Sequence, residues 1–189
     1  MTNPYSTPTS DLHRNLNNGQ NDTSSPFSSK GRFSRLSYLA WNLILNVIML
    51  IVFAVIAGIA GAASTLLTGT DPNAMMAFYT SGAGLFMLAI MLVSLVITLL
   101  FFIRRLHDIN MSGWWSILVF IPLVNLIFGI YVLVKKGTEG VNRFAPVRAT
   151  PKWERILGII AIVLIVLYLI AIIASIVMAI TVGGSMPTA

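Results

Sequence analysis

Reactive chemistry in this 189-residue chain has few sources, because cysteine is absent and only two histidines and six carboxylates occur. The densest grouping is Arg104-Arg105-Leu106-His107-Asp108. A histidine beside an aspartate has the composition of a general acid–base pair, but helical neighbours project about 100° apart. A base needs its partner across a hydrogen bond, which that divergence denies it. His13 lies in a distant polar stretch, and metal ligation would need more donors than His107 and Asp108. The lack of cysteine excludes disulfides, thiolate catalysis and Cys-ligated metals. No catalytic residue, cofactor or metal site is therefore expected, and the chain does not read as an enzyme. The grouping reads instead as a helix end, where Arg104 and Arg105 would complement the macrodipole and lipid phosphates.

The elements that must carry these residues are apolar. Hydrophobic residues make up 57% of the chain and charged residues 10%, against about 25% charged in a soluble domain. Four segments lack any charged residue: 38–63, 85–103, 114–134 and 156–182. At 1.5 Å per residue each can cross a hydrocarbon core of roughly 30 Å. The fold expected is an all-α membrane protein with three to four transmembrane helices. Residues 1–30 are polar, rich in Ser, Thr, Asn, Gly and Pro, and read as a disordered cytoplasmic tail. Residues 31–150 form the membrane domain, and 151–189 add a C-terminal transmembrane helix.

The third segment is ambiguous, because Pro122 interrupts it and Asn125 follows. Proline can kink a spanning helix or turn a re-entrant one. Charge bears on the choice. If all four segments span, the twelve Lys and Arg divide evenly between the two sides, and the positive-inside rule has nothing to read. If the third segment is re-entrant, all twelve are cytoplasmic. The 64–84 connection holds Asp71 and no Lys or Arg, so it reads as a translocated loop with a turn at Asp71-Pro72-Asn73. Trp41, Trp114, Trp115 and Trp153 sit near segment ends, as interfacial aromatics do.

Three polar stretches adjoin these segments: Gly31-Arg32-Phe33-Ser34-Arg35-Leu36-Ser37-Tyr38, Arg104 to Asp108 followed by Ser112-Gly113-Trp114-Trp115, and Gly137-Thr138-Glu139-Gly140-Val141-Asn142-Arg143-Phe144. Together they resemble the bacterial inner-membrane family catalogued as domain of unknown function 805. Its motifs look like G-R-x-x-R-x-x-Y-W, R-R-L-H-D-x-x-x-S-G-W-W and G-T-x-G-x-N-R-Y-G. The resemblance covers about residues 31–147. It departs at Leu39, at Ala145, and at Val147-Arg148 where an acidic residue is usual. It implies a bacterial inner-membrane location and brings no activity. The motif residues Gly31, Arg32, Arg35, Tyr38, Arg104, Arg105, His107, Asp108, Gly113, Trp114, Trp115, Gly137, Gly140, Asn142 and Arg143 are candidates for a structural or lipid-binding role.

Two packing expectations follow. Ala54/Gly58/Ala62 and Ala171/Ser175/Ala179 are small residues four apart, and such ridges let helices approach in lipid. Asn42 and Asn46 share a face and suit interhelical hydrogen bonds. If the third segment is re-entrant, the three motifs meet on one face. Asp108 should then contact Arg32, Arg35 or Arg143 beyond a local contact with Arg104, and Glu139 should also be shared among arginines. The function expected is non-catalytic membrane work with the N-terminus cytoplasmic: lipid contact, assembly or envelope homeostasis. Its partners would be membrane lipids with anionic headgroups, a second copy or another membrane protein, and no nucleic acid. The alternative is a small transporter or channel subunit acting as an oligomer, although no segment carries the ionisable residue usual on such pathways.

Overall fold

The computed structural model describes residues 21–59 and 72–183. It is helical: α1 (Arg35–Ile59), α2 (Pro72–Thr80), α3 (Gly82–Asp108), a 3-10 helix (Gly113–Phe120), α4 (Pro122–Val134) and α5 (Lys152–Gly183). Among the described residues three helices, α1, α3 and α5, are long and apolar enough to cross a membrane, and α4 is a shorter apolar helix. α1 packs on both α5 and α3, and the 3-10 helix packs on α3 and on α4.

Local chemistry sets the boundaries. Ser34 caps α1 by accepting from the Ser37 N–H at 3.1 Å. Ser81 caps α3 in the same way, accepting from Gly84 N–H at 3.2 Å. α3 therefore begins before the 85–103 segment, and it continues through the polar motif to Asp108. The stretch expected as a loop at 64–84 contains α2, while Asp71 and residues 60–71 lie outside the described residues.

Pro122 resolves the third segment. It pushes Ile121 out of the helical region, to φ −101° and ψ 108°, and then starts α4 as its first residue. The segment is thus two short legs, an eight-residue 3-10 leg and a thirteen-residue α leg, joined at Ile121. The α leg reaches about 20 Å, short of a roughly 30 Å hydrocarbon core. The chain leaves the end of α3, turns at Ile121-Pro122, and returns to the end of α3.

Several expectations are corrected. Gly58 and Ala54 are exposed, and nothing lies within 4 Å of a Cβ placed on Gly58. Ala171, Ser175 and Ala179 are exposed too, and Ala62 lies outside the described residues. The close approach of α1 and α5 falls instead at Gly158, where a Cβ would meet the Leu36 carbonyl at 2.6 Å, beside buried Ala40 and Ala161. Asn42 and Asn46 donate at 2.8 Å to Tyr38 and Asn42 carbonyls of their own helix, not to a neighbour. In lipid an amide can satisfy itself one turn back, which removes the need for a partner helix.

The disorder expected for 1–30 does not extend to its last residues. Residues 1–20 lie outside the described residues, but 22–30 turn back over α3. Phe27 packs on Trp41 and Phe101, with ring centroids 5.7 and 6.0 Å away. One aromatic, the Asp22 carboxylate and a row of backbone carbonyls dock this polar stretch.

Candidate functional site

The three motifs converge on the C-terminal end of α3, where Arg32, Arg104 and Arg105 are all but inaccessible to solvent. A buried guanidinium carries a large desolvation cost unless its N–H groups find acceptors. Arg32 and Arg105 meet that requirement through Asp108 and through backbone carbonyls.

Asp108 is the centre. Its Oδ1 accepts from Arg32 Nε at 3.1 Å and lies 2.9 Å from Arg32 Nη2, while its Oδ2 accepts from Arg105 Nη1 at 2.5 Å. The contact with Arg32 is the one expected across motifs. The local contact comes from Arg105, three residues back, rather than Arg104. Arg32 Nη1 also donates to the Gly140 carbonyl at 2.7 Å, and Nη2 to the Thr138 carbonyl. One side chain from the first motif thus spans the other two.

Arg105 holds the returning leg of the hairpin. Its Nε donates to the Val132 carbonyl at 3.0 Å and its Nη2 to the Lys135 carbonyl. Arg35 Nη1 donates to the Val134 carbonyl at 3.3 Å. These are carbonyls at the end of α4, which a helix leaves without intrahelical partners. The two arginines cap α4, and their charge opposes the negative end of its dipole.

The third motif closes over Asp108. Thr138 N–H donates to the Asp108 carbonyl at 2.8 Å. Asn142 Nδ2 donates to the His107 carbonyl at 2.7 Å, and its Oδ1 accepts from Phe144 and Ala145 N–H groups. Gly137 passes so near that a Cβ would overlap the Asp108 carboxylate. Gly140 has φ +69°, the left-handed region that turns the loop.

Arg104 points the other way, into the 22–30 strap. Its Nη1 donates to Ser24 Oγ at 2.9 Å and to carbonyls of Ser25, Ser28 and Lys30, and its Nη2 lies 3.3 Å from Asp22 Oδ2. Its Nε has no hydrogen-bond partner among the described residues, and the guanidinium carbon sits 4.4 Å over the Phe33 ring. Burial raises the Asp22 pKa, but hydrogen bonds from Ser24 and Arg32 and the Arg104 charge outweigh it, leaving the pKa below the ordinary value. Gly31, at φ +95°, makes the turn between the strap and Arg32.

A second buried pair went unread in the sequence. Glu154, fully buried at the start of α5, accepts from Arg148 Nη1 at 2.8 Å and Nη2 at 2.6 Å, and from Trp41 Nε1 at 2.9 Å. The signal available was Arg148 itself, a cation where the family pattern has an acid. Glu139, by contrast, is exposed and among the described residues pairs with Lys136 rather than with arginines.

The remaining candidates lie at the rim. Tyr38 packs on Phe102, with centroids 6.3 Å apart, and borders the core of Phe102, Leu106, Ile109 and Val132. Arg143 donates to the Asn110 carbonyl at 3.2 Å and lies over the Phe144 ring. His107 stacks on Phe144 at 4.0 Å. With Gly113 and Trp114 these two rings border an open groove of about 530 Å³. Trp114 is 85% exposed and Trp115 about half, as anchors at an interface would be.

Chemically, this arrangement joins chain segments. Both oxygens of Asp108 are engaged by arginines, so the carboxylate does not orient His107 as a base. Among the described residues no three His, Cys, Asp or Glu side chains gather where a metal ion could be held.

The model of the family described as protein of unknown function, DUF805, matches residues 26–146. The chain belongs to that family. Over 43 residues it is 44% identical to inner membrane protein YhaH of Escherichia coli K12, covering 23% of this chain and 36% of that protein. Over 42 residues it is 40% identical to inner membrane protein YhaI of the same strain, covering 22% and 36%. No solved structure matches.

Proposed function

We propose that this family member is a non-catalytic scaffold of the bacterial inner membrane, in which the three motifs form a cytoplasmic lock that secures a re-entrant hairpin. The observation that carries the reading is the engagement of Arg32 and Arg105 by the two oxygens of Asp108, while Arg105 also caps the returning helix α4. Residues that hold the chain this way serve architecture rather than turnover.

Orientation follows from charge. With the hairpin returning to the side it left, the Lys and Arg of the chain fall on one side of the bilayer, and the positive-inside rule makes that side cytoplasmic. The N-terminus is then inside, and α5 leads the chain outward. The outer faces of the hairpin carry Trp114, Leu123, Leu126 and Ile127, all exposed apolar residues. They are available to lipid, to a second copy or to another membrane protein. Lipid contact and assembly are the work such a surface supports.

The absence of native cysteine makes the test clean. Glu139 is exposed, whereas Thr138 is half-buried and donates to Asp108, so Glu139→Cys is the probe position. In intact spheroplasts a membrane-impermeant maleimide should leave Glu139→Cys unlabelled, and permeabilisation should expose it. Labelling before permeabilisation would overturn the cytoplasmic placement of the third motif.

A further inference from the structure

We propose that the groove between α1, α4 and α5 is a binding site for one anionic phospholipid, with an acyl chain along its floor and the phosphate between Arg35 and Arg155. The groove encloses about 490 Å³ and is lined by Leu36, Leu39, Leu133, Val134, Ile162 and Ile165, with Arg35 at one end. Among the described residues no carboxylate lines it. Its walls belong to two of the three helices able to cross a membrane and to the returning leg of the hairpin, so its natural filling is a hydrocarbon chain.

The charged end selects the headgroup. Arg35 is exposed, and among the described residues its guanidinium makes one hydrogen bond, to the Val134 carbonyl at 3.3 Å, out of five N–H donors. Arg155 lies seven residues before Ile162 on α5, the same helical face, about 10 Å nearer the start of the helix. α1 and α5 meet at Leu36 and Gly158, one residue after Arg35 and three after Arg155, so both arginines stand at the same end of the groove. Arg155 is exposed and has no side-chain partner among the described residues. The carboxylate beside it in sequence, Glu154, is turned away into Arg148 and Trp41. Two open guanidinium forks above an apolar trough complement a phosphate with an attached chain, and a zwitterionic headgroup would offset part of that attraction with its own cation.

The site deepens the scaffold reading, because it places the lipid in the leaflet on the side of the lock. The full chain purified in mild detergent is mixed with equimolar phosphatidylglycerol and phosphatidylcholine, and retained lipid is read by native mass spectrometry. The parent chain should keep one phosphatidylglycerol in preference to phosphatidylcholine. Arg35→Gln with Arg155→Gln should lower that retained fraction at least tenfold, and Ile162→Trp, which fills the trough, should do the same with both arginines present. Lys136→Gln, a surface charge paired with Glu139, should retain the lipid as the parent does. Equal retention of phosphatidylcholine by the parent, parent-like retention by the double arginine variant, or an equal loss in Lys136→Gln would each overturn the site. Labelling of Glu139→Cys from outside would refute the orientation and leave the retention result standing, so the two failures are separable.

Discussion

The two ends of the helix bundle are held by different physics. At the end of α3, buried arginines are tied to Asp108, Asp22 and a row of carbonyls, and glycines let the chain pass within contact of a carboxylate. In the far halves of α1 and α5, small residues at helical spacing face outward, and Gly58 has nothing near it. In lipid, apolar faces gain little by leaving hydrocarbon for each other, so small-residue spacing creates an opportunity without a driving force. A guanidinium short of acceptors is costly in the same medium, which makes a polar cluster at the membrane edge a strong organiser. The bundle is pinned at one end and left to its solvent at the other.

The largest effect should come from removing the centre of the lock. Asp108→Asn leaves Arg32 and Arg105 buried without their shared counter-charge, a loss of about 3–5 kcal/mol for a broken buried pair. Thermal unfolding in detergent should show it as a large drop in midpoint or a failure to recover folded protein. Next is the close approach on α5. Gly158→Ala puts a Cβ 2.6 Å from the Leu36 carbonyl oxygen and 2.9 Å from its Cα and Cβ, none of which can move without the backbone, so α1 and α5 must part. The expected cost is about 1–3 kcal/mol. Gly58→Leu, the matching change at the unpinned end, should stay within about 0.5 kcal/mol. A cost at Gly58 equal to that at Gly158 would erase the contrast between the two ends.

The strap gives a finer prediction. The pKa of Asp22 is lowered in the folded chain, so its contribution is present above the unfolded value near 3.8 and fades as pH falls through the lower folded value. Asp22→Asn should lower stability at neutral pH, where the contribution is fully present, and flatten the acid limb, so that variant and parent converge as pH falls through that window. An unchanged acid limb would show that the Arg104–Asp22 contact contributes nothing to holding the strap.

Charge arithmetic made part of this legible. Several arginines facing few acids required Asp108 to be shared, and Arg32 is the cross-motif partner found. Pro122 marked the break in the third segment, but composition alone could not separate a kink from a turn. Asp22 was invisible because its sequence neighbours are polar and its carboxylate accepts from the Ser24 and Arg32 backbone N–H groups, which carry no sequence signal, and from an arginine 82 residues away. Glu154 was hidden because Pro151 separates it from Arg148, so no helical spacing links them. The ridges misled because the same spacing serves a lipid-facing surface as well as a packed one.

The central claim is that the third segment returns and closes the lock beside the first motif. Spin labels at Lys30→Cys and Glu139→Cys, both exposed positions flanking the Arg32–Gly140 contact, measure this in liposomes by double electron–electron resonance. The lock predicts a distance distribution centred below about 20 Å, well under the roughly 30 Å of a hydrocarbon core. A distribution centred at or above that thickness would put the third motif across the membrane from the first and contradict the account.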